Sequence, residues 1–333
     1  MKSKRGIQIR DIAVYHPNTV RDNQYYLNQY EDKERELAKS VMEEILGRDR
    51  RYVIEPGNGE NSLSLSIAAS KAVLEKTGLS GSDIDGIIVC SITAEYMSPT
   101  QALMVHNEIQ GRVDAFCFDL RAACIGMVSG IDIAGKFIKM QENTKRVLVV
   151  AAECMSLIWK KEDIVDYTCF GEAACAVIVE ATNDSSKDIH TRYWNDNRTS
   201  ELIPLPKKGL TERVLNSDCV LEFELSPSES ISLERCKPEI QRILRDNHIT
   251  LDDIKIFCVS QLSKQLGEEI YEALAVPMEK RIYIGDKYGY TGANCTYICL
   301  YEAIKQGRVE RGDYILIWTM GYGDQYVVSL FHY

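Results

Sequence analysis

The chain reads as an α/β protein built from two similar halves. Three observations lead there. Short apolar runs of strand length alternate with longer amphipathic ones, the order expected when helices cover a largely parallel sheet. Residues 81–93, GSDIDGIIVCSIT, resemble residues 250–262, TLDDIKIFCVSQL, each an acidic turn followed by a buried strand. RVLVVAAE followed by GEAACAVIVE resembles DYILIWTMGYGDQYVVSLF near the C-terminus, each a buried strand, a glycine turn and a return strand. Repetition in the same order predicts two packed halves about a pseudo-twofold axis, with a shared cleft as the natural place for a site. Of the 333 residues 45% are apolar and 26% charged, a globular balance. Such a chain can bury a sizeable core without disulfides or metals.

Taken in order, residues 62–77 predict a helix stopped by Gly78, and Asp83 then leads into the strand GIIVCSI. A second helix is expected after Ser98-Pro99-Thr100, with proline in its first turn. AFCFDL reads as a strand, Ile125 to Met140 as a long apolar helix, and RVLVVAAE as another buried strand. Residues 182–235 are polar and irregular, including NDSSKD and the short alternating run CVLEFELS. The expected division is an N-terminal half at 1–180, a connecting segment at 181–235 and a C-terminal half at 236–333.

Lys plus Arg number 39 against 49 Asp plus Glu, a net charge of -10. That balance argues against general binding to nucleic acid or anionic membranes. No run approaches 18 consecutive apolar residues, so no membrane-spanning helix is expected. The start MKSKRGIQIR has no apolar run behind its basic cluster, so a cytoplasmic protein without a secretory signal is expected. Eleven cysteines with no CxxC pair, and five scattered histidines, lack the close ligand pairs of a zinc site. Most of the cysteines lie in apolar runs such as IIVCSI, where a free thiol is a small buried hydrophobe.

Cys124 differs from the others. It lies in FDLRAACIGMVSGIDIA, between a strand and a long helix, with Ala122 and Ala123 before it and Gly126 two positions on. A cysteine in the first turn of a helix faces unpaired N–H groups that favour a thiolate, and small neighbours admit a substrate. A thiolate there can attack a thioester and hold the acyl group covalently. Position alone leaves two readings open, a buried core thiol or a nucleophile.

FDLRAACIGMVSGI resembles the nucleophile motif of the β-ketoacyl-acyl-carrier-protein synthase III family of the thiolase superfamily. GLSGSDIDGIIVCSIT followed by SPTQA, FGEAACAVIV and GYGDQYVVSLFHY resemble further family motifs in family order, over nearly the whole chain. The resemblance implies a thiolase-like five-layered αβαβα fold and Cys124 as the acylated nucleophile. It also implies an oxyanion hole made by the backbone N–H groups of Cys124 and Tyr322. Acyl-coenzyme A or acyl-carrier protein would be the thioester substrate, with no metal or redox cofactor. A homodimer is implied, with a heterodimer with a second ketosynthase-like chain left open.

Two positions depart from the family pattern. Its catalytic histidine is replaced in Ser260-Gln261-Leu262-Ser263, and its asparagine in Gly289-Tyr290-Thr291. Ser260 and Tyr290 can each donate a hydrogen bond on the acceptor side, but neither supplies a group that titrates as imidazole does. Three readings follow: a condensing enzyme using other groups, an acyltransferase to an alcohol, amine or carrier thiol, or a non-condensing partner subunit. Arg48, Arg50 and Arg51 form a basic cluster that is either a solvated run or, as the resemblance implies for Arg48 and Arg51, a contact for coenzyme A phosphates. Lys207 and Lys208 are weaker candidates for the same mouth. Glu95 is either a solvated loop acid or a general base near the site. Glu172, in the GEAACA turn, reads as a structural hydrogen-bonding acid.

Overall fold

The computed structural model describes residues 5–195 and 233–333. Its first half contains β1 (Gly6–Tyr15), β2 (Val20–Asp22), α1 (Asn23–Leu27) and α2 (Asp32–Ser40), the last running into a π-turn at Val41–Ile45. There follow β3 (Arg50–Tyr52), α3 (Ser62–Thr77), β4 (Gly86–Cys90), α4 (Gln101–Glu108) and β5 (Phe116–Leu120). A short 3₁₀ turn at Ala123–Ile125 opens onto α5 (Gly126–Met140), then β6 (Arg146–Ala152), α6 (Ile164–Cys169) and β7 (Ala174–Thr182). The second half has β8 (Ile189–Asn195), α7 (Leu233–Asp246), β9 (Ile254–Val259), α8 (Lys264–Ala273) and α9 (Gly285–Tyr288). It ends with a 3₁₀ turn at Gly292–Asn294, α10 (Cys295–Lys305), β10 (Tyr314–Gly321) and β11 (Gln325–His332).

The strand orders show the repeat. One sheet runs β1-β7-β6-β4-β5 and the other β8-β11-β10-β9. In each, an antiparallel pair (β6 with β7, β10 with β11) adjoins a parallel one (β4 with β6, β9 with β10). An isolated parallel bridge from Phe257 to Arg281 stands where β5 stands in the first sheet. The core forms three bands. α3 and α4 pack Leu65, Val73 and Val105 on the outer face of the first sheet, and α7 and α8 pack Ile240 and Ile270 on that of the second. α5 and α10 lie between the sheets, burying Met127, Ile131, Tyr297 and Ile298. The result is five layers, αβαβα.

Local chemistry sets the element ends. Asn61 and Ser64 form a reciprocal capping box at the start of α3, with bonds of 2.9 and 2.8 Å, worth about 1 kcal/mol. Gly78 closes the helix in the left-handed region, φ 68. Along α5 a glycine permits the close approach of the middle layer to its sheet: a Cβ on Gly130 would fall 2.7 Å from Cys90 Sγ.

Two expectations are corrected here. Pro99 precedes the N-terminal cap of α4, Thr100, instead of entering the helix. The residues 189–195 are not part of a connecting segment: they form β8, which pairs along its length with β11 inside the second sheet. CVLEFELS, Lys207 and Lys208 lie outside the described residues. Among the described residues, no helix is long and apolar enough to cross a membrane.

Candidate active site

Cys124 sits where the two halves meet. The 3₁₀ turn that carries it packs against the matching turn at Gly292–Asn294, which opens α10 as Ala123–Ile125 opens α5. Ala123 holds φ at 44°, a left-handed conformation costing an L-residue roughly 1–2 kcal/mol and common at functional positions. The alanine side chain is the smallest that can occupy it, so the residue before Cys124 sets the sulfur's direction without adding bulk. Cys124 is 7% exposed, in an apolar cluster with Leu46, Met155, Trp159, Phe170 and Tyr290.

The expected first-turn position is corrected: Cys124 precedes α5 by two residues, on the 3₁₀ turn. Burial is the largest influence on its thiol and pushes its pKa up. The neighbouring Tyr290 hydroxyl pulls it back down. Cys295, Glu153 and Cys169 each push it further up.

Tyr290 is held by its backbone. Its N–H donates to the Cys169 carbonyl at 2.9 Å and its carbonyl accepts from Gly171 N–H at 3.1 Å, while its ring packs 5.4 Å from that of Phe170. Gly289 before it adopts φ 71, and a Cβ there would meet the Gly171 nitrogen at 2.9 Å. The chain therefore needs glycine to bring Tyr290 beneath the cysteine.

At the C-terminal turn, a Cβ on Gly321 would lie 3.5 Å from the Cys124 nitrogen, so the Gly321-Tyr322-Gly323 backbone runs beside the Cys124 N–H. The Tyr322 side chain packs on the same cluster and faces Cys124, Asp166 and Cys169. Ser260 follows β9, 1% exposed, with its Oγ lacking any hydrogen-bond partner among the described residues; the buried Thr291 hydroxyl beside Tyr290 likewise has none. Unpaired buried hydroxyls are rare enough to mark a polar subsite.

The arginines are elsewhere than expected. Arg48 is fully buried and spends its guanidinium on the carbonyls of Leu46, Cys169, Gln261 and Leu262 at 2.8–3.1 Å, and on the Tyr283 hydroxyl. Arg51, equally buried, bonds the Thr168 carbonyl and Asn23 Oδ1, with its cation over the Tyr26 ring. The phosphate contact expected of both is thus corrected: main-chain carbonyls already occupy these donors, and neither side chain reaches solvent. Of the three, Arg50 is exposed. Glu95 is also exposed, on the loop leading to α4, with its N–H bonded to Gln101 Oε1 at 3.1 Å, and it does not join the cysteine cluster.

Glu172 accepts from Ile54 N–H at 3.0 Å and Ser156 N–H at 2.9 Å, the structural role expected of it. Two acids escaped the sequence reading. Glu153 ends β6 and takes bonds from Ser91 Oγ, Ile92 N–H, and the Thr93 N–H and hydroxyl, fixing the loop beside Cys124; burial raises its pKa to about 7. An acid closing the apolar run RVLVVAA was its signal. Asp166 on α6 is 8% exposed, its pKa also raised to about 7 by burial and by Asp163, and nothing in its polar surroundings in sequence marked it.

Profiles of two parts of one family match the chain: 3-oxoacyl-[acyl-carrier-protein] synthase III over residues 118–197, and the C-terminal part of the same synthase over residues 244–333. The β-ketoacyl-[acyl-carrier-protein] synthase III of Clostridium tetani is 30% identical over 293 residues, covering 82% of this chain and 84% of that protein. The chain belongs to the 3-oxoacyl-[acyl-carrier-protein] synthase III family. The synthase III of Aquifex aeolicus is 29% identical over 331 residues, covering 98% of this chain and all of its own. The Aquifex crystal structure superimposes with a TM-score of 0.85 at 27% identity, over 98% of this chain and 100% of that one. The priming β-ketosynthase of the R1128 polyketide pathway superimposes with a TM-score of 0.90 at 20% identity, over 100% and 97%, a likeness of fold. This synthase III relative is an acyltransferase of the ketoacyl synthase III type, with the thiolase-like fold. Tyr290 shares the apolar cluster of Cys124, and Ser260 is buried at the end of β9.

Proposed function

We propose that Cys124 is the acylated nucleophile, taking an acyl group from acyl-coenzyme A or an acyl-carrier protein and passing it to a protic acceptor. The observation that supports this is the close approach of the Gly321-Tyr322-Gly323 turn to the Cys124 backbone nitrogen. Attack of the thiolate on a thioester makes a tetrahedral oxyanion, for which the Cys124 and Tyr322 N–H groups are the donors. Removal of one such donor typically costs 10²–10³ in rate. Tyr290 supports the leaving and attacking thiolate.

Acyl transfer is favoured over decarboxylative condensation because no imidazole faces the acceptor side: Ser260 and Thr291 offer neutral hydroxyls there. No metal or redox step is needed for this exchange of one acyl bond for another. A homodimer across β5 is the proposed assembly, since β5 is the edge strand of its sheet and Tyr96, Met97, Leu103 and Val113 stand exposed on the segments flanking it. An unpaired strand edge is a template for pairing with a second chain. A cytoplasmic location goes with thioester substrates of this kind.

The test is intact-protein mass after incubation with a panel of acyl-coenzyme A thioesters and one acylated carrier protein, wild type beside Cys124→Ala. A mass gain equal to the acyl group in wild type alone is expected. No gain with any donor would sink the proposal and favour a non-condensing partner subunit.

A further inference from the structure

Asp166 is a buried carboxyl group on the wall of the cysteine cluster that no step described so far uses. It sits three residues before Cys169 on the same short helix, so the two side chains share a face. Cys169 belongs to the cluster around Cys124. From that face Asp166 lies within electrostatic reach of Cys169 and Tyr322, and Tyr322 in turn of Cys124. Among the described residues its carboxylate takes no hydrogen bond and no ion pair, in contrast to Glu153 and Glu172, whose oxygens are bonded to the main chain. The nearby cations are unavailable to it, because Arg48 and Arg51 are spent on carbonyls at the C-terminal end of α6.

From this placement we infer that Asp166 is the general base for the second half-reaction, and that the acceptor is therefore an O–H or N–H nucleophile, an alcohol or amine. The inference rests on the acyl-Cys124 reading above. The acceptor's O–H bond breaks and its proton passes to the Asp166 carboxylate as its oxygen bonds to the thioester carbon. The carbonyl electron pair moves onto the oxyanion between the Cys124 and Tyr322 N–H groups. On collapse the C–S bond breaks, the electron pair leaves on Sγ towards the Tyr290 hydroxyl, and an ester is released. The proton on Asp166 returns through solvent to the thiolate. An amine follows the same course and leaves an amide.

The protonation state suits the task. Asp166 is held at about 7, chiefly by burial and next by Asp163, so the carboxylate that accepts the proton predominates above neutrality. The groups facing it are few. Asp163 caps its own helix and Glu162 precedes that; Cys169 and Tyr322 lie across the cluster. α2 and the π-turn, which pack on α6, present apolar Ala38, Val41 and Met42 while Lys39, Glu43 and Glu44 point to solvent.

The experiment uses the full chain loaded with the acyl-coenzyme A that acylates it best, then chased with ethanol as the acceptor probe. Loss of the acyl mass and gain of the ethyl ester are followed from pH 5.5 to 9. In wild type the transfer rate is expected to rise through about pH 7 and level off. In Asp166→Asn it should fall by about 10²–10⁴ relative to the loading rate and lose that rise. Asp166→Glu should recover part of the rate and a rise, with thermal melts confirming that each variant folds. A loaded Asp166→Asn that transfers at the wild-type rate, or with the wild-type pH profile, overturns the role of Asp166 alone. A wild type that never loads overturns the acyl-Cys124 reading and this one with it. Should Asp166→Asn not fold, a wild-type pH profile in Asp166→Glu without any shift or loss of rate overturns the inference.

Discussion

Removing one oxygen, in Tyr290→Phe, separates the tuning of Cys124 from its packing. The influences on the thiol are burial, Cys295, Glu153 and Cys169, all raising its pKa, against the Tyr290 hydroxyl, the one that lowers it. A hydrogen bond to a charged acceptor is worth about 1.5–3 kcal/mol, or roughly 1–2 pKa units at 1.36 kcal/mol each. Without it the thiolate fraction at neutral pH falls about 10- to 100-fold. The more basic thiolate is the better nucleophile, with a Brønsted slope of about 0.4–0.5, which returns nearly half of that loss on a logarithmic scale. Acyl loading should therefore slow by about 3- to 10-fold, well short of the loss in Cys124→Ala. Stability should change by less than about 1 kcal/mol, because the ring keeps its packing on Phe170 and its backbone bonds to Cys169 and Gly171. The assay is the pH dependence of iodoacetamide alkylation read on the Cys124 peptide by mass, which separates it from the other ten cysteines. An apparent pKa that stays put or falls in Tyr290→Phe would refute the reasoning.

Other consequences can be checked on the same protein. Arg48→Met should cost at least about 3 kcal/mol, since four buried carbonyls lose their donor at about 1–3 kcal/mol each, and melting temperature should drop by roughly 5 °C or more. A variant that kept its melting point but lost affinity for acyl-coenzyme A would restore the phosphate role. Glu153, Glu172 and Asp166 all have folded pKa values raised to about 7, so the folded chain binds protons that the unfolded chain has released. Their contribution is complete below the unfolded carboxylate range and is lost as pH rises through 7. The melting temperature should accordingly be higher at pH 6 than at pH 8, and scanning calorimetry showing the reverse would count against those shifts. If the proposed homodimer forms across β5, Phe118→Arg on that edge should lower the mass in light scattering to that of a monomer; an unchanged dimer mass would move the interface elsewhere.

What the sequence alone determined follows from short-range rules. Strand and helix periods, the Asn61 cap, the Gly78 stop and the repeated strand patterns are local, and they were enough for the α/β class and its two halves. Cys124 stood out because its neighbours Ala122, Ala123 and Gly126 are small, and the two glycine-flanked tyrosines because they interrupt recognisable patterns. Tertiary structure decided what those residues face. Arg48 and Arg51 look like a solvated cation run until α6 and the Gln261 loop close over them, and only then does desolvation demand that carbonyls take up every donor. Tyr290 was expected to line the site, and the Phe170 bridge holds it in the cluster of Cys124. Asp166 carried no signal at all, since burial, unlike periodicity, is a property of distant segments packed together. Membership of an element is written in residues a few positions apart; the charge state and direction of a side chain are set by residues more than a hundred positions away.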